Sequence, residues 1–182
     1  MNLPIKVLPT VNEIGTTQVS YIVSIRTNFN SKLSATSVVL RIPTPLNTTS
    51  VDCKVQNGKA KYVPAENVIV WKYVSSCIYT FFVWNTDHYP RIPRIQGGQE
   101  CTLSGTAQLT ATTHRQAWAR PPIDVDFQVL MFTASGLLVR FLKVFEKSNY
   151  HSIKWVRYLT KASGGYQIRV SRLLLFHLVN MC

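Results

Sequence analysis

Acidic residues are what this sequence has least of. Eight Asp and Glu stand against twenty Lys and Arg, for a net charge of +12. The carboxylates are also scattered, which leaves little room for chemistry that needs a carboxylate pair. Asp124 and Asp126 fall on one face of a strand, but the residues between and around them are so regularly apolar that a solvated strand face explains them better than an acid–base pair. Cysteine is similarly thin. Cys53, Cys77, Cys101 and Cys182 form no CxxC pair, and no histidine stands at zinc-finger spacing from them, so they read as free or buried thiols in a reducing compartment. His88, His114, His151 and His177 lack metal-ligand spacing and read as surface or loop residues, so no metal or cofactor is expected. There is no GxSxG elbow, P-loop, GxGxxG or HExxH motif, and no enzyme activity is expected.

Long apolar runs are missing too. Cys77 to Trp84 and Leu173 to Val179 are the most apolar stretches, and both fall far short of the roughly 20 residues of a spanning helix. Met1 to Thr10 has no basic region followed by an apolar core, so no secretory leader is expected and the protein reads as cytosolic. No window carries an extended 3.6-residue apolar stripe, which argues against helices as the main element.

What is present is alternation. Val19, Tyr21, Val23 and Ile25 are apolar at every second position. Cys101, Leu103, Ala107, Leu109 and Ala111 oppose Thr102, Ser104, Thr106, Gln108 and Thr110. Ile123, Val125, Phe127 and Val129 alternate with Asp124, Asp126 and Gln128. Period two means strands with one face on a core. Residues 37–42, 68–72, 138–145, 153–159 and 166–170 are further strand candidates, and turns at Pro43-Thr44-Pro45, Asn57-Gly58, Gly97-Gly98, Pro121-Pro122 and Gly164-Gly165 punctuate them. Many short strands without crossover helices predict an antiparallel β-sandwich.

The basic excess predicts an anionic partner: a membrane surface, an acidic protein or nucleic acid. It is steepest toward the C-terminus, where Ala134 to Cys182 holds eight basic residues and only Glu146 as an acid. No RNP-like aromatic run or recognition helix accompanies it, so nucleic acid is the weaker reading, though basicity alone does not separate it from anionic lipid. Within Ile153-Lys154-Trp155-Val156-Arg157-Tyr158, Trp155 and Arg157 are two apart and point to one side. An indole beside a guanidinium suits an aromatic ring with a polar tip, which stacks on one and hydrogen-bonds the other. The alternative is a core Trp with Arg lying over it, which periodicity alone favours.

That hexapeptide resembles the signature near the C-terminus of the clathrin adaptor medium (mu) chains. So do Ile42-Pro43-Thr44-Pro45-Leu46-Asn47-Thr48, Gly58-Lys59-Ala60-Lys61-Tyr62, Ile69-Val70-Trp71-Lys72, Trp118-Ala119-Arg120-Pro121-Pro122-Ile123 and Val139-Arg140-Phe141-Leu142-Lys143-Val144-Phe145-Glu146, in family order. The wording is most similar to the plasma-membrane endocytic adaptor, with the Golgi and endosomal adaptors as the alternative. The resemblance implies an all-β, antiparallel immunoglobulin-like sandwich, the mu homology domain, with one subdomain inserted in another. It implies binding of tyrosine-based sorting signals in the tails of membrane cargo during clathrin-mediated endocytosis and intracellular protein transport. Trp155 and Arg157 would hold the signal tyrosine, and Val139, Leu142, Lys154 and Val156 would line the pocket for its hydrophobic residue. Val139 and Leu142 differ in strand parity, so a bulge or twist is expected between them. Lys59, Lys61 and Lys72 would bind phosphatidylinositol bisphosphate, although one expected family lysine is Val63 here. The expected location is cytoplasmic and peripheral on membranes, at coated pits, with other adaptor subunits as partners and nucleic acid not among them.

Departures from the family pattern qualify this. The family's N-terminal longin-like domain and the first strands of its cargo domain have no counterpart in the sequence, which predicts weakened assembly and a cargo pocket with one wall. Residues 3–133 would form the inserted subdomain, 134–170 the C-terminal strands of the cargo-binding subdomain, and 171–182 an atypical tail. Between Lys72 and Ile92 the aromatic stretch Tyr73 to Arg91 interrupts the pattern. It reads as translated intron sequence, with a lineage-specific loop as the alternative, and the whole chain as a truncated product without independent function is a third expectation.

Overall fold

A computed structural model describes residues 3–73, 94–111, 118–145 and 155–170. The expected stretch after Tyr73, the four histidines, Cys77, Cys182, Lys154 and the tail from Ser171 lie outside the described residues.

The described residues form strands β1 (Ile5–Ile14), β2 (Gln18–Thr27), β3 (Ser34–Pro43), β4 (Thr48–Val55), β5 (Lys59–Val63), β6 (Val68–Lys72), β7 (Arg94–Gln96), β8 (Glu100–Leu109), β9 (Ile123–Leu130), β10 (Leu159–Ala162) and β11 (Gln167–Ile168). One sheet runs β1-β2-β8-β4. The other runs β10-β9-β3-β6-β5, with β11 also on β9 and β7 also on β3. Every pairing is antiparallel, so the all-β sandwich expected from the alternation is observed.

The core follows the period-two reading closely. Val19, Tyr21, Val23 and Ile25 from one sheet, and Ile123, Val125, Phe127 and Val129 from the other, are all buried, and Cys101, Leu103 and Ala107 join them. Ala111, expected on the same face, is exposed, because β8 ends at Leu109. Fully burying an aliphatic side chain contributes about 1.5–3 kcal/mol, so a dozen such positions supply the driving force for closure. β1 carries Pro9 in its interior, which obscures its alternation in sequence; the fold tolerates it because β1 is an edge strand.

Two expected strands are corrected. Residues 138–145 have no regular structure, and β10 begins only at Leu159, so 155–158 are not strand either. A strand needs a neighbour to take up its backbone groups, and among the described residues no strand lies beside 138–145. The expected strand at 166–170 is reduced to the two residues of β11.

Two features of the second sheet set the layout of its outer face. β3 contains a bulge: Thr36 faces Gln128 of β9 while Val39 faces Asp126, so two residues oppose one, and Ser37 takes a φ of 54°. β6 and β7 also occupy the same side of β3. Val39 faces Lys72 and Thr36 faces Arg94, so three steps along β3 correspond to twenty-two along the other chain segment. The excess is nineteen residues, the length of the stretch 73–91.

Candidate functional site

The lysines expected to bind lipid come together by strand pairing. The Asn57-Gly58 turn, with Gly58 at a φ of 95°, carries the chain from β4 in one sheet to β5 in the other. The Trp71 indole donates to the Asn57 carbonyl at 3.0 Å, tying that turn to β6. Trp71 is buried against the core, so its neighbour Lys72 points outward. Lys59 sits directly opposite Lys72, and Lys61 opposite Val70. All three lysines are exposed on the outer face of the sheet, where directly opposed residues have Cβ atoms about 4.5–5.5 Å apart. No acid pairs with any of them among the described residues.

Farther across the same face, charge is neutralised. Arg41 bonds Asp126 at 2.7 Å, and the amide of Gly164 donates to the other Asp126 oxygen at 2.9 Å. The Arg41 hydrogen bond, then the Gly164 amide, hold the Asp126 carboxyl below the usual aspartate range. Gln167 donates to Asp124 at 2.9 Å. Asp124 and Asp126 therefore anchor the β10–β11 region to β9, consistent with a structural role on the strand face.

The residues expected to read a cargo tyrosine lie at the start of that region. The Met131 amide donates to the Tyr158 carbonyl at 2.8 Å, and β10 then pairs with β9, fixing the chain just after Arg157. Tyr166 packs edge-on against Phe127, with centroids 5.8 Å apart, and donates to the Ile5 carbonyl at 2.9 Å. Trp155 and Arg157 both project outward. The Arg157 guanidinium carbon lies 6.0 Å from the centroid of the Trp155 ring, and the ring is 66% exposed, at the outer limit of a cation–π contact. Trp155 is thus not a core residue, and the reading favoured by periodicity alone is overturned.

Of the expected apolar pocket, Val139 and Leu142 are exposed on the irregular segment and Val156 is partly buried. Val139 is tied to the Trp155–Tyr158 segment by its amide, which donates to the Tyr158 hydroxyl at 2.7 Å. Tyr158 is the joint between the two stretches, a role its place in the sequence did not signal. The expected bulge between Val139 and Leu142 is replaced by loss of strand structure altogether. The described cysteines carry no chemistry of their own: Cys101 is buried, and burial, then the nearby Asp52, push the Cys53 thiol above its usual range.

With this arrangement established, comparison with known proteins gives the class. Residues 1–170 match the adaptor complexes medium subunit family, and the chain belongs to it. That is a family of coat-adaptor subunits, not of enzymes. Among its relatives, the chain is 46% identical over 172 residues to the AP-2 complex subunit mu of Dictyostelium discoideum, covering 93% of this chain and 35% of that protein. The AP-2 complex subunit mu of Schizosaccharomyces pombe is 41% identical over 172 residues, covering 93% of this chain and 34% of that protein. The chain thus spans about a third of the length of these relatives. The Fcho1 mu homology domain of Danio rerio with bound Eps15 peptide is a similar solved structure, at 14% identity and a TM-score of 0.47, covering 88% of this chain and 43% of that one.

Proposed function

We propose that this chain is the membrane-facing part of a clathrin adaptor medium chain. It acts at the cytoplasmic surface of coated pits, in endocytosis and intracellular protein transport, beside other adaptor subunits. Its outer basic face binds phosphatidylinositol bisphosphate, and Trp155 with Arg157 engages the tyrosine of a cargo sorting signal. The observation that carries this reading is the direct opposition of Lys59 and Lys72, with Lys61 beside them. Like charges placed directly across a ladder are destabilising, so a phosphorylated headgroup bound between them offsets a cost built into the fold. Ammonium groups suit phosphate as compact point charges, each adding about 1 kcal/mol toward an anionic surface. Sedimentation of the full chain with vesicles, with and without the bisphosphorylated inositol lipid, tests it. Selective binding that falls by about two orders of magnitude when all three lysines become Gln is the expected result. Tight, salt-sensitive binding to a duplex oligonucleotide without lipid selectivity would overturn it.

The cargo half of the reading rests on the guanidinium lying against an exposed indole. The described residues offer one open wall, so a peptide carrying Tyr-x-x-hydrophobic binds weakly, and Trp155→Ala removes the heat of binding in titration calorimetry. Binding at full strength that survives this substitution would refute it.

A further inference from the structure

We infer that Arg94 is an additional anion-contacting residue of the basic face, placed there by the bulge in β3. The inference rests on the phosphoinositide reading and extends that surface to a residue on a different strand. In a regular strand, residues three apart point to opposite sides. Thr36 and Val39 are three apart, yet both belong to the outer face. Val39 faces Asp126 and Lys72, whose side chains lie outside, and Thr36 faces Gln128 and Arg94. Their inner neighbours Ala35, Val38 and Leu40 are all buried. The extra residue at Ser37–Val38, with Ser37 in the left-handed region, reverses the parity. β7 inherits that reversal: Ile95 is fully buried and Arg94 is exposed.

Arg94 thus stands in line with Lys72 on the same side of β3, about 10 Å away at a strand rise of about 3.3 Å per residue. At that spacing the long Lys72 and Arg94 side chains can converge on one multiply phosphorylated headgroup. Arg41 shares the face but is committed to Asp126 at 2.7 Å. Arg94 has no ion-pair partner among the described residues. Lys161 of β10 is exposed at the far edge of this face, opposite Gln128 and beyond the Arg41–Asp126 pair. The unpaired positive charge nearest the three lysines is therefore Arg94, whose guanidinium adds a planar, multi-donor contact to three point charges. The occupant is the headgroup of a membrane-inserted phosphoinositide.

Vesicle sedimentation of the full chain tests this with Arg94→Gln, beside two comparisons. Arg26→Gln removes the same charge from an exposed position on the opposite sheet, and Lys59→Gln/Lys61→Gln/Lys72→Gln removes the underlying patch. Melting temperatures confirm that each variant folds. Arg94→Gln should weaken binding to vesicles containing bisphosphorylated inositol lipid about fivefold, the worth of one basic residue near an anionic surface, while Arg26→Gln leaves it unchanged. Equal losses in the two single variants would mean that only net charge matters and would sink the inference. Loss in the triple variant with none in Arg94→Gln refutes Arg94 but leaves the patch standing. No loss in the triple variant refutes the underlying reading. Inorganic phosphate that displaces the protein from vesicles at low millimolar concentration would assign the face to free phosphate and refute the membrane headgroup as its ligand.

Discussion

Deleting residues 73–91 should stabilise this protein, because β6 and β7 are then two halves of one strand. Lys72 lies opposite Val39 and Arg94 opposite Thr36. With nineteen residues removed, Ile92 and Pro93 are the two residues left to face Val38 and Ser37, and the ladder along β3 runs through without a shift. The connection between the two strands falls from twenty-one residues to two. At about 0.6 kcal/mol per doubling of loop length, that lowers the closure cost by about 2 kcal/mol. For a chain of this size that corresponds to about 4–8 °C in melting temperature. The deletion of 73–92 is the decisive comparison. It leaves only Pro93 to span two positions on β3, so β7 must slide by one residue and turn Ile95, now fully buried, to the outside. Losing that burial costs about 1.5–3 kcal/mol. Thermal melts of the three proteins, with amide exchange across β3, report both effects. A nineteen-residue deletion that lowers the melting temperature, or a twenty-residue deletion tolerated equally well, would refute the register argument.

Two further outcomes follow from the core and the strand faces. Tyr21 is fully buried, its hydroxyl has no hydrogen-bond partner among the described residues, and burial keeps the phenol protonated far above its usual range. Tyr21→Phe removes the stranded hydroxyl, keeps the edge contact with Trp118, and should stabilise by about 1 kcal/mol in denaturant titration; a loss of stability would mean the hydroxyl has a partner. Asp126 has a folded-state pKa depressed by Arg41 and Gly164. Its contribution is therefore full above the ordinary aspartate pKa of about 3.9 and is lost as pH falls through the lower folded value. Asp126→Asn should flatten the acid limb of the melting curve below about pH 4 while leaving the pH 6–8 region flat as before; an unchanged acid limb would remove Asp126 from the account.

The core was legible because burial imposes a simple period. Val19, Leu103 and Val125 announce their inward face by the polar residues on either side. β1 was not legible, because Pro9 breaks the alternation and only its place at a sheet edge makes that acceptable. Residues 138–145 misled in the other direction. Their composition suits a strand, but a strand is made by its neighbour, and the described residues supply none. Trp155 was misjudged by periodicity for the same reason: alternation identifies the side to which a side chain points, not whether anything covers that side.

The sequence by itself determined the antiparallel sandwich, the excess of positive charge and the family resemblance, since each rests on residue type and spacing along the chain. The tertiary structure decided which charges act together. Lys59 and Lys72 are thirteen residues apart in the chain and directly opposed in the sheet, Arg41 is neutralised by a residue eighty-five positions away, and Arg94 reaches the outer face through a bulge in a different strand. None of these follows from local pattern, because strand register is set between segments, and one extra residue in β3 changes which side of the sheet its neighbour presents.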